Sequence, residues 1–170
     1  MMNIQEACNA FRILLEEQQA RINNMNGDKL DFTTKKVVTI GVIDGDGIGP
    51  IIMAEAKKAL EKLLADEIAG GSIELRVIEG LTIENRLALG QAVPDDVMAE
   101  IKKCDVLLKG PTTTPSGGKM ESANVSLRRA LDLYANVRPV CVPEENIDWT
   151  FFRENTEGEY PLGSRGIEIP

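Results

Sequence analysis

Residues 37–50 read VVTIGVIDGDGIGP, and this stretch decides the fold class. VVTIGVI (37–43) is a continuous apolar, β-branched run. Such a run suits a strand buried on both faces, because a strand with one wet face would alternate. DGDGIG (44–49) follows as a loop, and Pro50 suits the first turn of a helix, where a missing N–H costs nothing. That helix is expected over about 50–68, burying Ile52, Ala56, Ala59, Leu60, Leu63 and Leu64.

Working outward, SIELRVIEG (72–80) reads as a second strand, DDVMAEIKKC (95–104) as a short helix and DVLLKG (105–110) as a third strand. GPTTTPSGGKME (110–121) reads as a loop, 122–134 as a helix and NVRPVCV (136–142) as a strand. Alternating strands and helices predict an α/β fold with a mainly parallel sheet flanked by helices. Ligands of such sheets lie beyond the carboxyl ends of strands, where both DGDGIG and GPTTTPSGG fall. Upstream, Ile4, Cys8, Phe11, Leu15, Gln18 and Ile22 repeat at alternating spacings of four and three. They predict a helix with one apolar seam, docked on the body or on another subunit, and NNMNGDK (23–29) reads as a linker.

The totals narrow the function. At 170 residues, 43% hydrophobic and 27% charged, the chain suits one soluble globular domain. A net charge of −8 argues against nucleic acid or an anionic membrane as partner, and no apolar run is long enough to span a bilayer. It does not exclude a small anion, since a site depends on local charge. Cys8, Cys104 and Cys141 are odd in number and lack metal-ligand spacing, which points to a reducing, cytoplasmic setting. With no histidine, any acid–base chemistry falls to carboxylates, Tyr, Lys or Cys.

DGDGIGP admits three readings. The dinucleotide fingerprint G-x-G-x-x-G fails, because position 50 is proline. A calcium loop would use Asp44, Asp46, Gly49 and Glu55, but Ile48 occupies a ligand position and a strand precedes the loop. A glycine-rich turn that lets backbone approach a ligand at a helix N-terminus remains. A tight turn with no ligand is its alternative.

In SANVSLRRALDLYANVRPV (122–140), Leu127, Ala130, Leu131 and Tyr134 form the expected core stripe, with Asn124 and Arg128 one turn apart on its margin. Ser122 is the N-cap candidate. Two readings stand. Ser122, Asn124 and Arg128 converge on an anion at the helix entrance, or Ser122 only caps while Arg128 pairs with Asp132 at i+4. Arg129 is assigned to solvent. Arg138 in an apolar strand and Arg153 after WTFF (149–152) add two arginines in semi-buried contexts, which favours a ligand with several carboxylates or phosphates.

Taken in order, DGDGIGP, LLKGPTTTP, SANVSLR, DLYANVRPV and FFRENTEGEY resemble the isocitrate/isopropylmalate dehydrogenase family of β-decarboxylating dehydrogenases, over roughly 36–160. The resemblance implies an isopropylmalate-dehydrogenase-like fold, not a standard Rossmann domain, of which the chain holds an incomplete first half. It implies a helical extension and linker over 1–30, the first part of a large domain over 31–133 and the start of a small domain over 134–170. Ser122, Asn124, Arg128, Arg138 and Arg153 match the family's substrate contacts, and Tyr160 matches its proton-transfer tyrosine. Lys109, Thr113 and Thr114 match the loop beside substrate and nicotinamide. The family's cofactors are NAD or NADP and Mg²⁺ or Mn²⁺, with the metal ligands expected beyond residue 170 and none in this chain. The Ser-x-Asn-x-x-x-Arg entry favours oxidative decarboxylation of isocitrate to 2-oxoglutarate. Isopropylmalate, homoisocitrate and tartrate/malate enzymes, or a non-catalytic polycarboxylate-binding subunit, are the alternatives. The complete protein is expected to be a homodimer or higher oligomer, and this chain alone to be inactive.

Overall fold

Val38–Ile43 (β1) is the central strand of a three-stranded parallel sheet, with Ile73–Val77 (β2) on one side and Val106–Lys109 (β3) on the other. These relationships come from a computed structural model that describes residues 3–24, 31–117 and 120–156. Ile40 stands opposite both Leu75 and Val106, so the apolar run is hydrogen-bonded along both edges. Thr39, Gly41, Val42 and Ile43 are all buried, as a strand covered on both faces requires. The chain leaves β1 toward β2 and then crosses to β3 on the opposite flank. The crevice between the carboxyl ends of β1 and β3 is therefore the switch point of the sheet.

One hydrophobic cluster lies against this sheet: Ile43, Ile78, Leu81, Val97, Ile101, Ala123 and Leu127. Val97 and Ile101 come from the helix Asp95–Ile101, and Ala123 and Leu127 from the helix Ala123–Ala130. A fully buried aliphatic side chain contributes about 1.5–3 kcal/mol, so this cluster ties the last helix to the sheet and fixes what lies on its margin.

Several local expectations are corrected. The helix after DGDGIG runs Gly49–Leu63 (α2), with Pro50 in its first turn, and a separate turn of helix, Ala65–Ala69 (α3), follows Leu64. Its inward residues are Gly49 and Met53, with Leu60 and Leu64 half-buried. Ile52, Ala56, Ala59 and Leu63, expected inside, are exposed, Leu63 at 78%. The N-terminal helix exists as Ile4–Asn24 (α1), and Ile4, Phe11, Leu15 and Ile22 are exposed in the single chain, so of the two expected partners for its apolar seam the body is not the one that covers it. It meets the body through the neighbouring face, where Arg21 pairs with Asp132 at 3.0 Å.

A helix missed by periodicity spans Ile83–Leu89 (α4). Its ends were legible: the Thr82 side chain accepts from Asn85 N, and Gly90 closes the helix at φ 65°. The short helix Asp95–Ile101 is α5, and Ala123–Ala130 is α6. Because α6 stops at Ala130 and Asp132 turns to φ 51°, Tyr134 lies off the helix and is exposed, not part of a core stripe. Ala135–Val142 (β4) and Ile147–Glu154 (β5) then form an antiparallel hairpin, with β5 unanticipated by sequence. No described helix is long and apolar enough to cross a membrane.

Candidate functional site

The loops after β1 and β3 meet at the switch point in backbone contact. Asp46 N–H donates to Pro111 O at 2.7 Å. A Cβ on Gly45, at φ 79°, would stand 2.0 Å from Pro111 O, and one on Gly110 would stand 2.1 Å from Asp44 O. Gly45 and Gly110 therefore let one chain segment cross another, and the close approach at this turn is made by the loop 110–115.

Asp44 is exposed on that turn, whereas Asp46 is buried and organises the neighbourhood. Its Oδ1 accepts from Ile83 N at 2.7 Å, and its Oδ2 accepts from Thr113 N at 2.8 Å. Arg86, 0% exposed, comes from α4 and lies 3.8 Å from Asp46 Oδ2. Its Nε donates to Ala92 O and its Nη1 to Thr113 O, both at 2.8 Å. Sequence reading placed Asp46 in the turn and overlooked Arg86. The available signal was a charged residue on the apolar face of LTIENRLALG (81–90).

Beyond this crossing, Lys109, Asn124 and Arg128 line one cavity of about 510 Å³ with apolar walls that include Leu107, Leu127 and Leu131. Asn124 and Arg128 stand one turn apart on α6, on the margin of the buried Leu127. Lys109, the last residue of β3, points its ammonium at Gly110 O at 2.6 Å. Thr112 links the two sides, since its Oγ1 lies 3.5 Å from Lys109 Nζ and donates to Asn124 Oδ1 at 3.5 Å. Thr112 was not among the residues singled out from sequence. Burial pushes the Lys109 ammonium below its ordinary pKa; the Arg86 and Arg128 cations add to this, and the Asp46 carboxylate opposes it.

The other expected site residues divide. Ser122 is the N-cap of α6, but its side chain makes no cap hydrogen bond. Asp132 is engaged by Arg21, and Arg128 turns toward the cavity. Arg129, assigned to solvent, instead pairs with Glu121, which also accepts from Ser126 Oγ at 2.6 Å. Thr113 and Thr114 have exposed side chains on the loop, although the Thr113 backbone is held. Arg138 and Arg153 do not line the cavity and are not semi-buried. They are exposed on the hairpin, whose register pairs Asn136 with Arg153 and Arg138 with Phe151 and so puts both arginines on one face. Tyr160 lies outside the described residues.

Known proteins agree with this architecture. The profile of the isocitrate/isopropylmalate dehydrogenase family matches residues 39–168. The NADP isocitrate dehydrogenase of Caldococcus noboribetus is 44% identical over 141 residues, 77% of this chain and 32% of that protein. Subunit 2 of the mitochondrial NAD isocitrate dehydrogenase of Saccharomyces cerevisiae is 36% identical over 156 residues, 88% of this chain and 39% of that protein. Among solved structures, a β-decarboxylating dehydrogenase from Thermococcus kodakarensis superposes with a TM-score of 0.59 at 30% identity, covering 72% of this chain and 35% of that one. The chain thus spans about a third of the length of these relatives. A matched profile over most of the sequence, together with the superposition on a solved β-decarboxylating dehydrogenase, makes this chain a member of the isocitrate/isopropylmalate dehydrogenase family.

Proposed function

We propose that this chain supplies carboxylate-binding groups of an NAD- or NADP-dependent isocitrate dehydrogenase, which oxidises and decarboxylates isocitrate to 2-oxoglutarate. The observation that carries this reading is the grouping of Lys109, Asn124 and Arg128 around one cavity beside the Thr112–Thr114 loop. The Arg128 guanidinium suits bidentate binding of a carboxylate, the Asn124 amide adds a neutral donor, and the half-buried Lys109 ammonium adds a second cation. Arg138 and Arg153, exposed on one face of the hairpin, offer the further cations that a tricarboxylate needs.

A bound nicotinamide cofactor would accept the hydride. Lys109, Thr113 and Thr114 are the residues of this chain that would meet it, on their match to LLKGPTTTP, and Lys109 lines the cavity. A Mg²⁺ or Mn²⁺ ion would need ligands from elsewhere, since among the described residues no group of three or more His, Cys, Asp or Glu side chains could hold one. Tyr160 is proposed as the proton-transfer residue on its match to FFRENTEGEY.

Calorimetric titration of the chain with isocitrate tests the reading. Binding should weaken about tenfold or more in Arg128→Ala, as loss of a charge-assisted hydrogen bond implies. Absence of binding, or equal binding by the substituted chain, overturns it. Tighter binding of isopropylmalate than of isocitrate would move the assignment to that branch of the family.

A further inference from the structure

We propose that Arg86, with Asp46 as its counterpart, is a positioning residue that sets the threonine loop against the ligand held by Lys109, Asn124 and Arg128. This role rests on the carboxylate-site reading above and deepens it.

The loop 111–115 has no regular secondary structure, so its course must be set by contacts from outside. Those contacts converge on Thr113. Its N–H is taken by Asp46 and its carbonyl by Arg86, each at 2.8 Å, so the two peptide units that flank Thr113 are both held. The residues on either side of it, Thr112 and Thr114, inherit that orientation. Thr112 then reaches Lys109 and Asn124 at the cavity rim.

The same guanidinium extends to Ala92 O, beyond the end of α4, and to Met120 Sδ at 3.8 Å. Asp46 extends to Ile83 N, at the start of α4. The pair thus refers the loop to α4 at one end and to the β1 turn at the other. A buried ion pair is a poor source of net stability, because apolar replacements are often neutral or stabilising. Its geometry does specify one arrangement, and here that arrangement sets the loop whose Thr112 meets Lys109 and Asn124 of the site. A lysine could not reproduce it, since a single ammonium cannot supply the planar fork that serves Ala92 O and Thr113 O together.

The test uses the full chain, with Arg86→Lys, Arg86→Met and Asp46→Asn. Isocitrate affinity is measured by calorimetry and Thr113 and Thr114 amide exchange by NMR, alongside urea unfolding. The expected result is a tenfold or greater loss of affinity and at least tenfold faster Thr113 exchange in variants that still unfold cooperatively. A purely structural pair would shift the unfolding midpoint and leave the affinity of the folded chain unchanged. Affinity within twofold of the unsubstituted chain in Arg86→Lys, or unchanged Thr113 exchange, overturns the positioning role alone. Failure of all three variants to fold also overturns it, by making the pair structural. If the unsubstituted chain does not bind isocitrate, the carboxylate reading fails and this role with it.

Discussion

Asp46 and Arg86 hold Thr113 from both sides: its N–H donates to Asp46 Oδ2 and its carbonyl accepts from Arg86 Nη1, each at 2.8 Å, while the two side chains approach to 3.8 Å. Both are buried, so removing one leaves the other's charge uncompensated. Arg86→Met should cost about 3–5 kcal/mol in urea unfolding. Asp46→Asn combined with Arg86→Met should cost less than the two single changes added together, because the double variant strands no charge. Strict additivity would show that the pair is not coupled.

Gly45 and Gly47 both sit at positive φ, 79° and 60°, but only Gly45 meets another segment. Gly47→Ala should cost about 1–2 kcal/mol for the backbone conformation alone. Gly45→Ala should cost clearly more, because its methyl group would stand 2.0 Å from Pro111 O and force the two loops apart. Equal losses in the two variants would contradict the crossing.

Lys109 carries a lowered pKa, chiefly through burial. A bound carboxylate favours the ammonium and raises that pKa, so binding takes up protons at alkaline pH. Isocitrate affinity should be full below the lowered free-state value and decline as pH rises through it, before the ordinary lysine value of 10.5. Lys109→Met should bind more weakly and lose this dependence. Calorimetry in buffers of different ionisation enthalpy measures the proton uptake.

Asp105 is held below its ordinary pKa by hydrogen bonds from Lys35 and from Thr39 N–H, the latter at 2.9 Å. A lowered carboxylate pKa contributes stability that is present above the unfolded value and lost as pH falls through the folded one. Asp105→Asn should cost about 1–2 kcal/mol at neutral pH, and the gap should begin to narrow near the ordinary value of 3.8 and close only below the lowered folded-state value. A gap that persists in acid would assign the effect to packing.

Arg21 joins α1 to Asp132 through a partly exposed ion pair. Arg21→Ala should change global stability by less than about 1 kcal/mol. Amide exchange in α1 should nonetheless accelerate, because the seam residues Ile4, Phe11, Leu15 and Ile22 make no buried contact to hold the helix.

Local chemistry made much of the fold legible. VVTIGVI announced a strand covered on both faces, and the strand–helix alternation announced a parallel sheet, because periodicity and β-branching act over a few residues. The helical face carrying Asn124 and Arg128 could be read the same way. The failures came where a pattern was followed past its physical limit. Apolar spacing assigned α2 the wrong inner face, because spacing reports which residues share a face and not what lies against it. Arg138 and Arg153 looked semi-buried beside apolar neighbours, but a two-stranded hairpin leaves them exposed.

Short-range sterics and periodicity make β1, β2, β3, α2, α5, α6 and β4 legible in the amino-acid sequence, with the glycines at the turns and the polar margin of α6, but not α3, α4 or β5. Long-range packing alone brings DGDGIG against GPTTTP, sets Lys109 across Thr112 from Asn124 and Arg128, and carries Arg86 to Thr113 from 27 residues away. Those relationships depend on which strand ends lie side by side, and strand order is set by the packing of the whole sheet, which no local pattern encodes.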